Sequence, residues 1–258
     1  MKRIVLWSLA LFSICLFSIQ MKATEMETEG GSKKTSEYRK VSPFVSIELQ
    51  GSPTVYYQQG KDVSVKVVGY ADDVKNIETK VTGDCLAIRF KNHKLMSFSL
   101  GSVRHRDVKI YVTSPDLTGI QVTGSGDFIV SGLLDTDKMT VNLKGSGDIK
   151  IPSMICDHLI TDVVGSGDVD IKEAKAQTVK IGLVGSGDVK MGLKKVKKTD
   201  VTVKGSGDVS LFFTDCQTAN CSLQGSGDIT LKGRLFSLKR QKNGSGDIDV
   251  SQLSVGQK

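Results

Sequence analysis

The sequence predicts an all-β fold, a parallel β-helix with one coil per ~20 residues. The first observation is a tetrapeptide, Gly-Ser-Gly-Asp, that occurs seven times. Its glycines and aspartates are Gly124, Gly126 and Asp127; Gly145, Gly147 and Asp148; Gly165, Gly167 and Asp168; Gly185, Gly187 and Asp188; Gly205, Gly207 and Asp208; Gly225, Gly227 and Asp228; and Gly244, Gly246 and Asp247. Successive aspartates are 21, 20, 20, 20, 20 and 19 residues apart. A unit this short has no core of its own and must bury its apolar side against its neighbours. The second observation is the flanking alternation. Two and four places before each corner stand pairs such as Leu143 and Val141 or Val203 and Val201, and one and three places after it stand pairs such as Ile149 and Ile151 or Val209 and Leu211. That period of two belongs to half-buried strands, one entering the corner and one leaving it. An antiparallel sandwich would not need one tetrapeptide at a fixed phase.

Along the chain, residues 1–23 have the pattern of a secretory signal: Lys2 and Arg3, an apolar run from Ile4 to Ile19, then Ala23 near the cleavage point. The run is ~16 residues, short for a membrane span, so the mature chain is expected to be exported and not to span a membrane. Cys15 follows Phe12, Ser13 and Ile14, whereas an acylated cysteine normally follows a small residue. Residues 24–40 are polar and charged, which predicts a flexible leader. Residues 41–123 lack the tetrapeptide but keep strand alternation in Val45, Ile47 and Leu49, in Val63, Val65 and Val67, in Leu86, Ile88 and Phe90, and in Val108, Ile110 and Val112. Turn signals such as Gly51-Ser52-Pro53 separate these segments. An open solenoid end exposes a strand edge and apolar interior, so this region is expected to act as an N-terminal β cap.

Residues 124–258 form the predicted β-helix. A second corner falls in the variable middle of each repeat, at 155–158, 172–176, 193–198 and 214–220. The eighth place after the aspartate, held by Cys156, Ala176, Val196, Cys216 and Phe236, is expected to be interior. In the last coil Arg240 and Lys242 take inward positions that are apolar elsewhere, as suits a solvent-facing end. Within the corner, glycine permits positive φ and close approach of stacked backbones. Aspartate and serine can accept hydrogen bonds from corner amides. Seven stacked carboxylates at a spacing of ~4.8 Å would repel unless amides, lysines or cations compensate. Calcium is one such cation, yet calcium β-rolls repeat every nine residues and place their ligands differently.

The formal charge of +7 falls to +4 if residues 1–23 leave, with 32 basic against 28 acidic residues. That is weak evidence for a polyanion, and Lys194, Lys195, Lys197 and Lys198, like Arg104, His105 and Arg106, suit solvated turns. Nothing in aromatic spacing or motif supports nucleic acid. Cys156 and Cys216 share a coil position three coils, roughly 14 Å, apart, too far for a disulfide. Cys216 and Cys221 share a coil, and a bond between them stays open. The cysteine and histidine spacing carries no metal signature, and no cofactor is implied.

Two further motifs, Phe44-x-x-Ile47 and Val108-x-Ile110-x-Val112-Thr113-x-Pro115-x-Leu117, together with the tetrapeptide series, resemble the putative auto-transporter adhesin, head GIN domain family, exported proteins common in Bacteroidetes. The resemblance implies a single-stranded right-handed β-helix behind an irregular β N-terminal part, and no catalytic residues. The expected function is an exported, non-enzymatic binding or structural module, in the periplasm, at the outer membrane or outside the cell. Its partner would be a glycan or another envelope or host-surface component. Two alternatives compete: a polysaccharide lyase or hydrolase using Lys150, Asp162, Asp170, Lys172, Lys180 and Lys190 on one face, and a calcium-stabilised surface repeat. Self-association by end-to-end or side-to-side stacking of solenoids is a third expectation, with Arg240 and Lys242 arguing against the C-terminal end as the joining surface.

Overall fold

A computed structural model describes residues 33–91 and 108–256. The expected signal segment, Cys15, His93 and the Arg104 to Asp107 cluster lie outside the described residues. The first part of the chain forms β1 (Lys34–Arg39), β2 (Ser46–Gly51), β3 (Thr54–Gln59), β4 (Ser64–Tyr70), a short helix α1 (Ala71–Asn76), β5 (Ile77–Thr82) and β6 (Cys85–Phe90). Next come β7 (Lys109–Ser114), β8 (Gly119–Gly124), β9 (Phe128–Ser131), β10 (Leu133–Asp135), β11 (Lys138–Gly145), β12 (Ile149–Ile151), β13 (Ser153–Ile155) and β14 (His158–Gly165). The column is completed by β15 (Val169–Lys175), β16 (Thr178–Gly185), β17 (Val189–Lys194), β18 (Lys198–Gly205), β19 (Val209–Gly225), β20 (Ile229–Asn243) and β21 (Ile248–Val255).

These elements stack as a parallel β-solenoid. Strands that enter the Gly-Ser-Gly-Asp corner pair with their equivalents one repeat away, so Val141 lies beside Thr161, Thr161 beside Ile181 and Ile181 beside Val201. This makes one long sheet in the order β6, β2, β8, β11, β14, β16, β18, then the second halves of β19 and β20. Strands that leave the corner make a second sheet in the order β1, β4, β7, β3, β9, β12, β15, β17, then the first halves of β19 and β20, then β21. A narrower third side begins with β10 and β13 and continues into the ends of β15 and β17. The apolar alternation is satisfied inward: Ile149, Ile151, Met154, Leu159 and Val163 of one coil are all buried.

Three features differ from expectation. The coil bends twice more after the tetrapeptide corner, where a single second corner was expected, because the short strands β12 and β13 meet at Pro152 and the next bend falls at Cys156 and Asp157. Phe236 is not interior. It is 59% exposed and Leu235 is buried in its place, because the last repeat is one residue shorter and the register slips so that Cys216 pairs with Leu235. Lys34–Arg39, within the expected leader, is a strand paired antiparallel with β4, which offers it a ladder that its composition does not announce.

The N-terminal third is more regular than its sequence suggests. β2 and β3 are a full part of the stack, lying between β6 and β8 in one sheet and between β7 and β9 in the other. Gly51, with φ of 102°, occupies the corner position, and its carbonyl accepts the amides of Ser125 and Gly126 at 3.0 and 2.8 Å. Antiparallel β5 closes one sheet, and antiparallel β4 with β1 outside it closes the other; α1, between β4 and β5 in the chain, buries Val74, with Ile77 buried just beyond it. At the other end Arg240 and Lys242 are exposed.

Candidate functional site

The tetrapeptide corners form one ridge of the column. The first glycine of each has φ between 124° and 136°, and from Gly124 to Gly205 its carbonyl accepts the serine amide of the following coil, at 2.8 Å for Gly145 and Ser166 and 2.9 Å for Gly185 and Ser206. A Cβ on either glycine of an inner corner would run into the backbone carbonyl of the preceding coil. The aspartates form a relay: Asp168 Oδ1 accepts the amide of Asp188 at 2.8 Å, Asp208 that of Asp228 at 2.8 Å and Asp228 that of Asp247 at 2.7 Å. Lys150 adds an ion pair to Asp148 at 3.0 Å, and Lys190 sits 3.6 Å from Asp188. Charge-assisted amide bonds of this kind offset the repulsion between stacked carboxylates. Among the described residues no group of three or more histidines, cysteines, aspartates or glutamates is placed to hold a metal ion.

The residues considered for polysaccharide chemistry are divided between two sides of the column. Lys150, Asp170, Lys172 and Lys190 lie on the sheet that leaves the corner, whereas Asp162 and Lys180 are neighbours on the sheet that enters it, Asp162 opposite Gly182 and Lys180 opposite Ile160 and Asp200. The six therefore do not form one site. His158 is an exposed surface residue, 2.8 Å from the Thr178 hydroxyl. Cys85, Cys156, Cys216 and Cys221 are free thiols. Cys216 donates to the Leu193 carbonyl at 3.3 Å, which holds it at the bend and away from Cys221. Burial pushes the Cys156 thiol up to about 11 and that of Cys221 up to about 12, the latter against the opposing charge of Arg240.

The sheet that leaves the corner carries the most distinctive surface. Its outward residues form a continuous register ladder: Tyr38, Lys66, Tyr111, Tyr56, Ile129, Lys150, Asp170, Lys190, Ser210, Thr230 and Asp249. Tyr56 and Tyr111 stack at 5.3 Å between centroids, and the Lys66 amine lies over the Tyr38 ring at 5.4 Å. One row over, Gly192, Phe212 and Lys232 are consecutive partners. Together with Asp170, Lys172 and Lys190 they line a groove of about 410 Å³, within the size range of small-ligand sites. Phe212 and Lys232 escaped the sequence reading. The available sign was Phe212 standing between buried Leu211 and Phe213 at an outward position, where alternation calls for a polar residue.

Residues 43–215 match the family described as putative auto-transporter adhesin, head GIN domain. A putative adhesin of known structure from Bacteroides fragilis is 25% identical, with a TM-score of 0.73 over 84% of this chain and 97% of its own. A putative lipid binding protein from Parabacteroides distasonis is 22% identical, with a TM-score of 0.66 over 83% and 95% of the two chains. A putative adhesin from the same organism is 20% identical, with a TM-score of 0.63 over 87% and 98%. The last two likenesses are of fold alone. No curated protein matches the chain.

Proposed function

Since the chain belongs to the putative auto-transporter adhesin, head GIN domain family, we propose that it is an exported, non-enzymatic adhesin that presents the sides of a rigid column to a component of the cell envelope or of a host surface. The observation that carries this reading is the ladder of outward side chains along one sheet from Tyr38 to Lys190, aromatic or cationic at every rung but Ile129 and Asp170. The inward half of each strand is committed to the core, so the outward half is free to differ from coil to coil. A stack held by backbone hydrogen bonds at every rung fixes those side chains at strand spacing, which lowers the ordering cost of binding. Export is supported by the segment at residues 1–23. No described helix is long and apolar enough to cross a membrane.

The test is adhesion of the chain from Thr24 to Lys258 to isolated envelopes, host surfaces and arrayed glycans, with cleavage of acidic and neutral polysaccharides measured in parallel. Retention on at least one surface without release of products is the expected result. Turnover of a polysaccharide would overturn the non-enzymatic reading.

A further inference from the structure

Resting on the adhesin reading, we infer that the groove at Gly192 binds an anionic polysaccharide, a sugar polymer with carboxylate or sulfate groups along its length. The floor is open because position 192 carries no side chain. The β15 strand bulges opposite it, between Ile171 and Ala174, and brings the Lys172 backbone so close that a Cβ at Gly192 would run into the Lys172 carbonyl oxygen. Phe212 walls the next rung with 55% of its surface exposed. An isolated exposed phenylalanine gains nothing from water, but its electron-rich face suits the weakly positive C–H face of a pyranose ring.

Cations surround that ring. The Lys172 side chain has no hydrogen-bond or ion-pair partner among the described residues, Lys232 is the next rung after Phe212, and Lys190 lies in the adjoining row, 3.6 Å from Asp188 and more than half exposed. Asp170 is the one acid in the groove lining. Lys172 and Lys232 stand three coils apart, roughly 14 Å at the strand spacing. A single sugar does not span that distance, whereas a chain lying along the column axis meets both lysines and crosses Phe212 between them. By contrast, a groove of about 370 Å³ on the other long sheet, lined by Asp200, Asn220, Lys239 and Arg240, has no aromatic ring in its lining.

The experiment measures binding of the exported protein to heparin, polygalacturonate and neutral dextran at low and raised salt, with phosphatidylglycerol vesicles and single-stranded oligothymidylate alongside. Binding to heparin or polygalacturonate but not dextran is expected, and the two arms tell sulfate from carboxylate. Replacing all three cations, Lys172→Gln with Lys190→Gln and Lys232→Gln, should weaken it about tenfold, as three exposed charges at the strength of surface ion pairs imply. Phe212→Ala should weaken it several-fold without changing its salt dependence. The control set Lys144→Gln, Lys180→Gln and Lys204→Gln, on the other sheet, should bind as the wild type does. The inference is overturned if the control set loses as much as the groove set, if Phe212→Ala is without effect, or if vesicles or oligothymidylate bind as tightly through the same residues. Whole-cell adhesion separates the two readings. Groove variants that adhere like the wild type defeat the groove alone, whereas a wild type that adheres to no surface defeats the adhesin reading itself.

Discussion

Glycine is required at the corner ridge for two separable reasons, positive φ and contact with the coil below. Gly185 has both, since its φ is 132° and a Cβ would meet the Gly165 carbonyl oxygen. Gly132 has only the first, with φ of 81° and nothing within 4 Å of a built Cβ. Gly185→Ala should therefore cost about 3–5 kcal/mol, strain and overpacking together, and Gly132→Ala about 1–2 kcal/mol, the left-handed backbone alone. Equal losses in urea melts of the two variants would disprove the contact argument. The buried thiols give a pH signature. Native Cys156 and Cys221 keep their protons up to about 11 and about 12, whereas the unfolded chain releases them near the ordinary value of 9.0. The stability they contribute is thus whole below pH 9.0 and is lost as pH rises from there through the native values. Denaturation at stepped pH should show that decline, and the Cys156→Ala, Cys221→Ala double variant should show a shallower one. A thiol reagent at pH 8 should label both cysteines only on unfolding, because the thiolate is the reactive form.

At the scale of the element, helix α1 is the part whose role least follows from its own length. Six residues do not make a stable helix in water. Its place is set by Val74 and Ile77, each 1% exposed over the end of the apolar interior, with β4 before it and β5 after it running antiparallel to the strands they join. Val74→Asp with Ile77→Asp should expose that interior and produce larger species than the wild type forms, which light scattering would report; unchanged scattering from a folded variant would show that α1 is not the plug. The repeats were legible in the sequence because the tetrapeptide fixes their phase and alternation fixes the inward side. The coil made by β2 and β3 was not, since Gly51-Ser52-Pro53 keeps the first two corner residues and then departs from the motif, leaving a pattern common to any turn. Phe236 misled for a related reason: counting eight places from Asp228 ignores the shortened repeat that puts Leu235 inside. The ladder from Tyr38 to Lys190 was hidden because its members lie up to 152 residues apart in sequence and become neighbours only when the stack is built.

Over the whole molecule, the order of coils in space is not their order along the chain. The coil of β2 and β3 is made first, yet it lies between the β6 and β7 coil and the β8 and β9 coil. Ser46 pairs with Gly119 across 73 residues, whereas His158 pairs with Thr178 across 20. Closing the longer loop costs about 1 kcal/mol more than closing one repeat, and the two flanks of the early coil are not both satisfied until β6 and β8 have been delivered. A chain that emerges amino end first therefore cannot complete its opening coil as it appears. One edge of that segment stays unpaired while the next seventy or so residues arrive, and only then can assembly proceed toward the carboxyl end one repeat at a time. If the chain is threaded through a membrane in extended form, as the proposed export requires, this arrangement delays completion of the opening coil until the strand that locks its second edge has also crossed.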